Sequence, residues 1–311
     1  MDNRILKAGT RGSALAMLQT RDTLERFAAL FPALAFESVT VETPGDRDLT
    51  TDLRQSPGDF FTRDLDDALR EGRIDLAVHS LKDLPTDPID GLALAAVPPR
   101  ERAGDALVSN RVTEFSALGP RARVGTGSMR RRAQLLHVRP DLEVLTIRGN
   151  VDTRLRQLDE GRYDAIILAE AGLTRLGLTD RITQVLPKEW MLPAIGQGAL
   201  GLETRADDQQ TRALVALLDE PATHAAVDAE RALLAALHGG CLAPVGAWGR
   251  VVDEQLLLDA AVLDPQGRQR LETHVAGPPQ QAASLGQQAA RHLLDQGAAA
   301  LIALAREPGS A

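Results

Sequence analysis

Two patterns of apolar residues alternate over the first two hundred positions of the chain. Short apolar runs typical of buried strands alternate with segments whose apolar residues recur every three or four positions, as in amphipathic helices. The predicted strands are 5–9, 36–41, 74–78, 92–97, 106–109, 123–125, 143–147 and 165–168. One predicted helix begins after Ser13, a potential N-cap. Three further predicted helices cover 61–72, 130–137 and 151–158. This alternation predicts α/β domains with parallel sheets.

The pattern changes beyond about residue 220. A predicted helix at 222–237 is followed by three strands without crossover helices, and a helical tail begins near Gln280. Those strands are 245–251, 255–263 and 269–275. They predict an antiparallel sheet in a separate α+β domain. The glycine-rich segment 195–202 is typical of a chain that crosses back between domains. We therefore expect domain 1 at 1–98 plus 195–219, domain 2 at 99–194 and domain 3 at 220–311.

Length and composition fit this organisation. A chain of 311 residues exceeds one ordinary core, and 44% hydrophobic with 25% charged residues is typical of a soluble globular protein. No apolar run has the length of a signal peptide or a membrane span, which favours a cytoplasmic protein without a membrane partner. Cys241 is the only cysteine, which excludes an intramolecular disulfide and a cysteine-cluster metal site. We expect no metal.

One stretch of the chain opposes the net charge of −8. Between Arg121 and Arg156 there are nine arginines and only three carboxylates. Such a concentration of positive charge indicates a polyanionic ligand. The acidic balance, an aromatic content of 3% and the lack of a known motif argue against nucleic acid. A small polyanion is the better interpretation.

Four loops that follow predicted strands combine glycine or hydroxyl residues with a cation. They are 10–13, 79–83, 125–131 and 148–154. Open N–H groups at the start of a helix, beside an arginine, favour anions. None of the loops matches a P-loop or a dinucleotide fingerprint. Together they predict an anion site on the α/β domains.

Two residues offer reaction chemistry. Asp83 is either the partner of Lys82 in an ordinary turn or a partly desolvated carboxylate that stabilises a cationic intermediate and shuttles protons. His79 is an alternative acid or base, although its place inside a strand favours packing. Cys241 is either a small core residue or a functional thiol exposed by two preceding glycines, with a pKa that His238 could lower.

Seven segments, in order, resemble the porphobilinogen deaminase (hydroxymethylbilane synthase) family. They are TRGSALA at 10–16, DLAVHSLKDLP at 75–85, GTGSMRR at 125–131, IRGNVDTRL at 147–155, AGLTRLG at 171–177, IGQGA at 195–199 and GGC at 239–241. The resemblance implies two α/β domains of the periplasmic-binding-protein type II kind with the active cleft between them, and a third domain that carries the cysteine loop. It also implies a monomer.

The resemblance further implies an activity and its residues. Four porphobilinogens are joined head to tail with release of ammonia, and water then liberates hydroxymethylbilane. A dipyrromethane cofactor is attached to Cys241 through a thioether, and Asp83 is the catalytic residue. The implied cofactor and substrate contacts are Arg11, Ser13, Phe61, Ser80, Lys82, Thr126, Ser128, Arg130, Arg131, Arg148, Asn150, Arg154, Arg175 and Gln197.

The arginines suit this chemistry, because each pyrrole ring brings an acetate and a propionate. The sequence departs from the family mainly in the lid loop around 54–61. There Pro57-Gly58-Asp59 precede Phe60-Phe61, where the family commonly has Gly-Lys-Gly before Leu-Phe. Gly127 also replaces a usual serine, and Pro44 a common basic residue. These changes put the lid's contacts with substrate in doubt, whereas Asp83, Cys241 and the arginines are retained.

Two other functions fit parts of the sequence. A non-catalytic anion receptor on the same fold would use the arginines but leave the cysteine loop without a role. A cysteine hydrolase would need a histidine paired with Cys241, which the sequence does not offer clearly. A covalent pyrrole adduct on the chain discriminates the transferase from both.

Overall fold

The computed structural model describes residues 5–42, 62–238 and 243–306. The chain divides into two compact units, one formed by Met1–Arg100 with Ala199–His224 and the other by Glu101–Gly198 with Ala225–Ala311. The finer division into three domains stays a prediction. Within the described ranges, none of the helices combines the length and apolarity that a membrane crossing requires.

The first unit is built on a five-stranded sheet in the order β2-β1-β3-β10-β4. Its strands are β1 (Ile5–Thr10), β2 (Ala35–Thr40), β3 (Leu76–Ser80), β4 (Leu92–Ala96) and β10 (Leu200–Arg205). Its helices are α1 (Ala14–Leu30), α2 (Arg63–Arg70) and α6 (Gln209–Val215). Strands β2, β1 and β3 are parallel, and β10 is antiparallel to both of its neighbours.

The alternation of side chains along β3 assigns its residues to two layers. Leu76 and Val78 are buried with Phe27 of α1, whereas Ala77 is buried with Leu65 of α2. Because side chains alternate along a strand, the next two residues of β3 face α2 and α1 in turn. The end of this strand therefore presents one polar residue to each helix layer.

The second unit contains a five-stranded sheet of the same mixed kind, in the order β7-β6-β8-β5-β9. Its strands are β5 (Asp105–Val108), β6 (Arg123–Gly125), β7 (Glu143–Leu145), β8 (Ala165–Ala169) and β9 (Gln184–Val185). Its helices are α3 (Met129–Val138), α4 (Val151–Asp159) and α5 (Glu170–Arg175). Strands β7, β6 and β8 are parallel, and β5 is antiparallel to β8 and β9.

The same unit also contains the predicted antiparallel sheet, in the order β11-β12-β13. Its strands are β11 (Val245–Val252), β12 (Gln255–Leu263) and β13 (Arg270–Gly277). Its helices are α7 (Pro221–Ala236), α8 (Ala282–Asp295) and α9 (Ala298–Arg306). Leu233, Leu258, Ala289 and Ile302 belong to its apolar core. The α+β prediction for this part of the chain is confirmed.

The prediction of parallel sheets was wrong for two strands, β10 and β5. The crossing segment 195–202 runs into β10, which lies antiparallel between β3 and β4, and β5 lies antiparallel between β8 and β9. A strand buried on both faces gives a continuous apolar run whichever way it points. The pattern therefore predicts that such a strand exists but not its direction in the sheet.

A close approach of two helices generates a stability prediction. A Cβ atom on Gly286 of α8 would overlap the backbone oxygen of Ala229 on α7 and lie 2.8 Å from Cβ of Ala232. We expect Gly286→Ala to lower the free energy of unfolding by about 1–3 kcal/mol, because packed backbones cannot give way easily. Urea unfolding measures this. Gly119→Ala is the control, since Gly119 has no atom near such a Cβ; equal stability of the two variants would contradict the packing.

Candidate active site

The loop after β1 places a cation near the catalytic candidate. Ser13 caps α1, because its hydroxyl oxygen accepts a hydrogen bond from the N–H of Ala16 at 3.3 Å. This cap fixes the preceding residues, and Nη1 of Arg11 lies 3.8 Å from Oδ2 of Asp83. The two side chains are 20% and 33% exposed. The structure thus forms a solvent-accessible arginine–carboxylate pair at the ends of two adjacent parallel strands.

Contacts of Ser80 and Leu81 fix the backbone of the turn that carries Asp83. The Ser80 hydroxyl exchanges hydrogen bonds with the Gln19 side chain of α1 at 3.0 and 3.1 Å. Leu81 is buried and donates its N–H to the carbonyl of Ala199. Residues Leu81–Asp83 form a single 3-10 turn in which Lys82 is exposed. The buried residues fix the backbone and leave the two charged side chains at the surface.

In the second unit, two predicted ligand contacts are helix caps. The Ser128 hydroxyl accepts from the N–H of Arg131 at 3.4 Å and the Asn150 side chain accepts from Thr153 at 3.1 Å. The Thr126 hydroxyl accepts from the N–H of Ser128 at 3.2 Å. Helices α3 and α4 therefore begin at the loops the sequence singled out, and each start carries partial positive charge.

One buried carboxylate organises the arginines of α3. Asp105, at the start of β5, is fully buried. Its Oδ2 lies 2.7 Å from Nη1 of Arg130, and its Oδ1 lies 2.7 Å from Nη2 of Arg131. Burial alone would raise the pKa of Asp105, but the two guanidinium groups outweigh it and hold that pKa well below its usual range. Asp105 is therefore ionised at neutral pH.

Gln197 connects this carboxylate to the crossing segment. Its side-chain nitrogen donates to Oδ1 of Asp105 at 3.0 Å and to the carbonyl of Ala103 at 2.8 Å. The Glu230 carboxylate of α7 then accepts the N–H groups of Gly196 and Gly249, each at 2.7 Å. Glu230 is fully buried. A line of hydrogen bonds thus runs from α7 to the arginines of α3.

Neither Asp105 nor Glu230 stands out as a site residue among the sequence motifs. Asp105 directly precedes an apolar strand, and Glu230 lies in an Ala- and Leu-rich helix. An isolated acid next to residues with buried patterning needs a buried partner. That signal was present for Asp105, with the adjacent arginines 130 and 131 as its missing partner, whereas Glu230 lies beside Asp228 and Arg231 and does not stand out.

Three further predicted contacts are half-buried arginines. Nε of Arg154 donates to the carbonyl of Gly149 at 2.7 Å, and Nη2 of Arg175 donates to the carbonyl of Gly198 at 2.8 Å. The backbone carbonyl of Arg148 accepts from Gln157 at 3.0 Å. All three arginines are intermediate in exposure. A backbone carbonyl of the same unit thus holds the side chains of Arg154 and Arg175, and the backbone of Arg148 is held by a side chain.

The structure also changes the interpretation of the arginine-rich stretch. Five of its nine arginines have a carboxylate partner within the described part of the chain. They are Arg123, Arg130, Arg131, Arg139 and Arg156. The count of arginines therefore overstates the charge available for a ligand, because at least these five are balanced by carboxylates of the protein.

Two predicted site residues, Cys241 and Phe61, lie outside the described residues, as does the lid loop at 54–61. The described donors nevertheless fit a group rich in carboxylates. They comprise Arg11, Lys82, Arg148 and Arg154, together with the starts of two helices of ten and nine residues. Such donors hold carboxylates through charge-assisted hydrogen bonds. A pyrrole cofactor with acetate and propionate arms matches this donor chemistry.

Two family models match the chain. One is described as porphobilinogen deaminase, dipyromethane cofactor binding domain, and matches residues 6–213. The other is the porphobilinogen deaminase C-terminal domain and matches residues 224–295. Together they cover both units.

Relatives named porphobilinogen deaminase match over nearly the full length. The protein of Desulforudis audaxviator is 46% identical over 305 residues, covering 97% of this chain and 98% of that protein. The protein of Pelobacter propionicus is 45% identical and covers 97% of each. Among solved structures, the methionine-binding protein MetQ aligns with 70% of this chain and 90% of its own, at 14% identity and a TM-score of 0.46.

Two mixed α/β sheets carry cationic loops at the ends of their strands, and one of these loops holds a partly exposed carboxylate beside an arginine. The family follows from the matches in sequence. This chain belongs to the porphobilinogen deaminase family.

The buried ion pairs of α3 generate a prediction with a definite pH dependence. Asp105→Asn leaves two buried guanidinium groups without their anion, so we expect a loss of about 3–5 kcal/mol of stability at neutral pH. Because the pKa of Asp105 is lowered by folding, its contribution is present above the unfolded value of about 3.9 and is lost as the pH falls further. The deficit of the variant should therefore shrink below about pH 4, as measured by urea unfolding across pH.

Asp141→Asn is the matched control. Asp141 also pairs with an arginine, at 2.7 Å from Arg139, but its side chain is 40% exposed. An ion pair in contact with solvent contributes little to stability. A loss in Asp105→Asn no larger than in this control would show that the buried pairs do not stabilise the second unit.

Proposed function

We propose that this chain is a hydroxymethylbilane synthase, a transferase of tetrapyrrole and haem biosynthesis. It joins four porphobilinogens head to tail with release of ammonia, and water then releases hydroxymethylbilane. The observation that carries this proposal is the Arg11–Asp83 pair, 3.8 Å apart at the ends of β1 and β3, in a chain whose sequence matches the family over both units.

The cationic residues bind the acidic arms of the pyrrole rings. Arg11, Lys82, Arg148, Arg154 and Arg175 supply charge at or near the surface of their units. A guanidinium matches a carboxylate at two points, whereas Lys82 offers a point charge. The N–H groups at the starts of α3 and α4 add further donors. We expect these residues to orient the rings rather than to take part in bond making.

Arg130 and Arg131 belong to the proposed binding set in a different way. Both are more than nine-tenths buried and share the Asp105 carboxylate. Part of their charge is therefore already balanced, so we expect their main contribution to be a fixed start of α3. Gln197 supports the same carboxylate. The caps Ser13, Ser128 and Asn150, with Thr126 and Ser80, hold the loops and complete the proposed contact set.

Asp83 is the proposed catalytic residue. Positive charge develops on the substrate as ammonia leaves, and a carboxylate close to the pyrrole nitrogen stabilises that charge. The same carboxylate accepts and returns the proton that the condensation displaces. Arg11 places an opposite charge 3.8 Å from Asp83. Both roles need a carboxylate that reaches solvent, as Asp83 does.

The dipyrromethane cofactor supplies a covalently held primer to which the substrate rings are added. We propose that Cys241 holds it through a thioether, and that Phe61 contacts it or the substrate. A thiolate that attacks an electron-poor pyrrole methylene forms a C–S bond that thiol exchange does not break. One cysteine is then sufficient. We also propose a cytoplasmic monomer without nucleic-acid or membrane partners, consistent with the net charge of −8.

Intact mass tests the covalent primer. We expect the chain purified from porphyrin-producing cells to carry the mass of two linked pyrrole units, because the thioether survives denaturation. Cys241→Ser should lack this mass and all turnover. An unmodified wild-type chain would instead favour an anion receptor on the same fold.

Replacing the catalytic carboxylate tests the reaction. Asp83→Asn keeps the shape of the side chain but removes its charge and its basicity. We expect the variant to retain the pyrrole mass while ammonia release falls by about 10²–10⁴-fold. Asp87→Asn, at an exposed position four residues away, is the control and should release ammonia at the wild-type rate. Near-normal turnover in Asp83→Asn would remove this residue from the mechanism.

A further inference from the structure

A buried group of three ionisable side chains lies beneath the turn that carries Asp83. Asp66 is on α2, His79 is on β3 and Glu203 is on β10. All three are at most 4% exposed, and one polar atom of each lies within 4.8 Å of the others. We call these three residues the buried triad.

The fold explains why these residues meet. His79 alternates with Ser80 along β3, so Ser80 faces Gln19 of α1 and His79 faces α2. Gly201 of β10 is opposite His79 in the antiparallel pair. Glu203 is therefore its diagonal neighbour on the same face, within reach of a long side chain. Asp66 covers the two from α2.

The triad lacks the partners that buried polar groups normally have. Oδ1 of Asp66, Nε2 of His79 and Oε2 of Glu203 are buried without a hydrogen-bond partner in the described structure. Nε2 of His79 nevertheless lies only 3.3 Å from Oε2 of Glu203. Three unpartnered atoms in one buried group need a shared hydrogen or a cation, because each would otherwise lose its solvation without compensation.

The charges in the triad point to the same need. The pKa of Asp66 is raised to about 6, chiefly by burial and then by the negative charge of Glu203, although His79, the Thr62 hydroxyl and Arg70 each lower it. With a neutral imidazole the group would carry two negative charges in the interior. A proton on the imidazole removes half of this excess and supplies a donor between the carboxylates.

The charged residues around the triad are already engaged elsewhere. Arg70 of α2 donates to Asp67 at 3.2 Å and has a side chain 43% exposed. Arg205 of β10 donates to Asp75 and to Asp208 at 3.3 and 3.0 Å. Strand β1 contributes Lys7, which is exposed, and β4 contributes no charged residue. Within the described residues, His79 is thus the cation best placed to balance the two carboxylates.

We propose that a shared proton holds His79 as an imidazolium between Asp66 and Glu203, and that this buried triad positions the turn carrying Asp83. His79 is the penultimate residue of β3, four positions before Asp83, and the triad ties the end of that strand to α2 and β10. The three residues are positioning residues that act through Asp83. This role therefore rests on the proposed function of Asp83.

Histidine-selective ¹⁵N NMR of the holoenzyme tests the protonation state directly. The chain has six histidines, and His79→Gln identifies the signal that belongs to His79. We expect both ring nitrogens of His79 to carry a proton at about pH 8, whereas a neutral imidazole carries a proton on only one of them. A neutral ring at that pH would overturn the proposal, and the result does not depend on turnover.

Glu203→Gln tests the link to the reaction, because it keeps the side chain's shape and removes one negative charge. We expect His79 to lose its proton at lower pH than in the wild type. We also expect kcat to fall about tenfold or more with little change in the KM for porphobilinogen, since a displaced catalytic group slows chemistry more than binding. Glu203→Asp should recover part of kcat. Asp67→Asn is the control, because Asp67 lies beside Asp66 on α2 but outside the triad. It should change neither the titration of His79 nor kcat.

The remaining outcomes separate the hypotheses. A shifted His79 titration with unchanged kcat would overturn the positioning role, and a lower kcat with an unchanged titration would overturn the shared proton. One divalent metal ion per holoenzyme, measured by elemental analysis and lost in Glu203→Gln, would also overturn the proton as the bridging charge. If Asp83→Asn retained turnover, the proposed function of Asp83 would fail while the NMR result for His79 stood.

Discussion

The pairing of the buried carboxylate of Asp105 with two adjacent arginines is the constraint on which the second unit depends. A guanidinium in an apolar interior is tolerated only with an anion and satisfied hydrogen bonds. Asp105 meets that need for Arg130 and Arg131 at once, and Gln197 and Glu230 extend the network to α7. The start of α3, and the loops around it, are fixed by charge before any ligand binds.

In the first unit, too, buried polar groups fix the backbone next to a charged side chain. The turn with Asp83 is exposed on one side, but buried groups hold it on the other through Ser80, Leu81 and His79. Rigid support beneath an accessible charged group is what electrostatic catalysis requires, because the charge must not reorganise during reaction. In both units, residues that a motif would label as ligand contacts also hold the backbone, as Ser13, Ser128 and Asn150 do by capping helices.

Much of this architecture could be predicted from the sequence, because strands such as β6 and β12 and the caps Ser13 and Ser128 depend on local patterns. The direction of β10 and β5 could not, since a run buried on both faces has no direction. Partners that are far apart in sequence could not be predicted either, because local patterns carry no information on them. Asp105 is 25 residues from Arg130, and Glu203 is far from His79 in sequence. The family motifs predict roles for Asp83 and Cys241, but they do not point to the buried carboxylates Asp105 and Glu203.

A crystal structure of the chain purified with its cofactor is the most direct test of the central claim, that a tethered oligopyrrole is held by cationic side chains and acted on by Asp83. We expect density continuous from Sγ of Cys241, a pyrrole nitrogen within hydrogen-bond distance of Asp83, and Arg130 still paired with Asp105. A bare cysteine sulfur, or pyrrole rings that do not approach Asp83, would contradict the account.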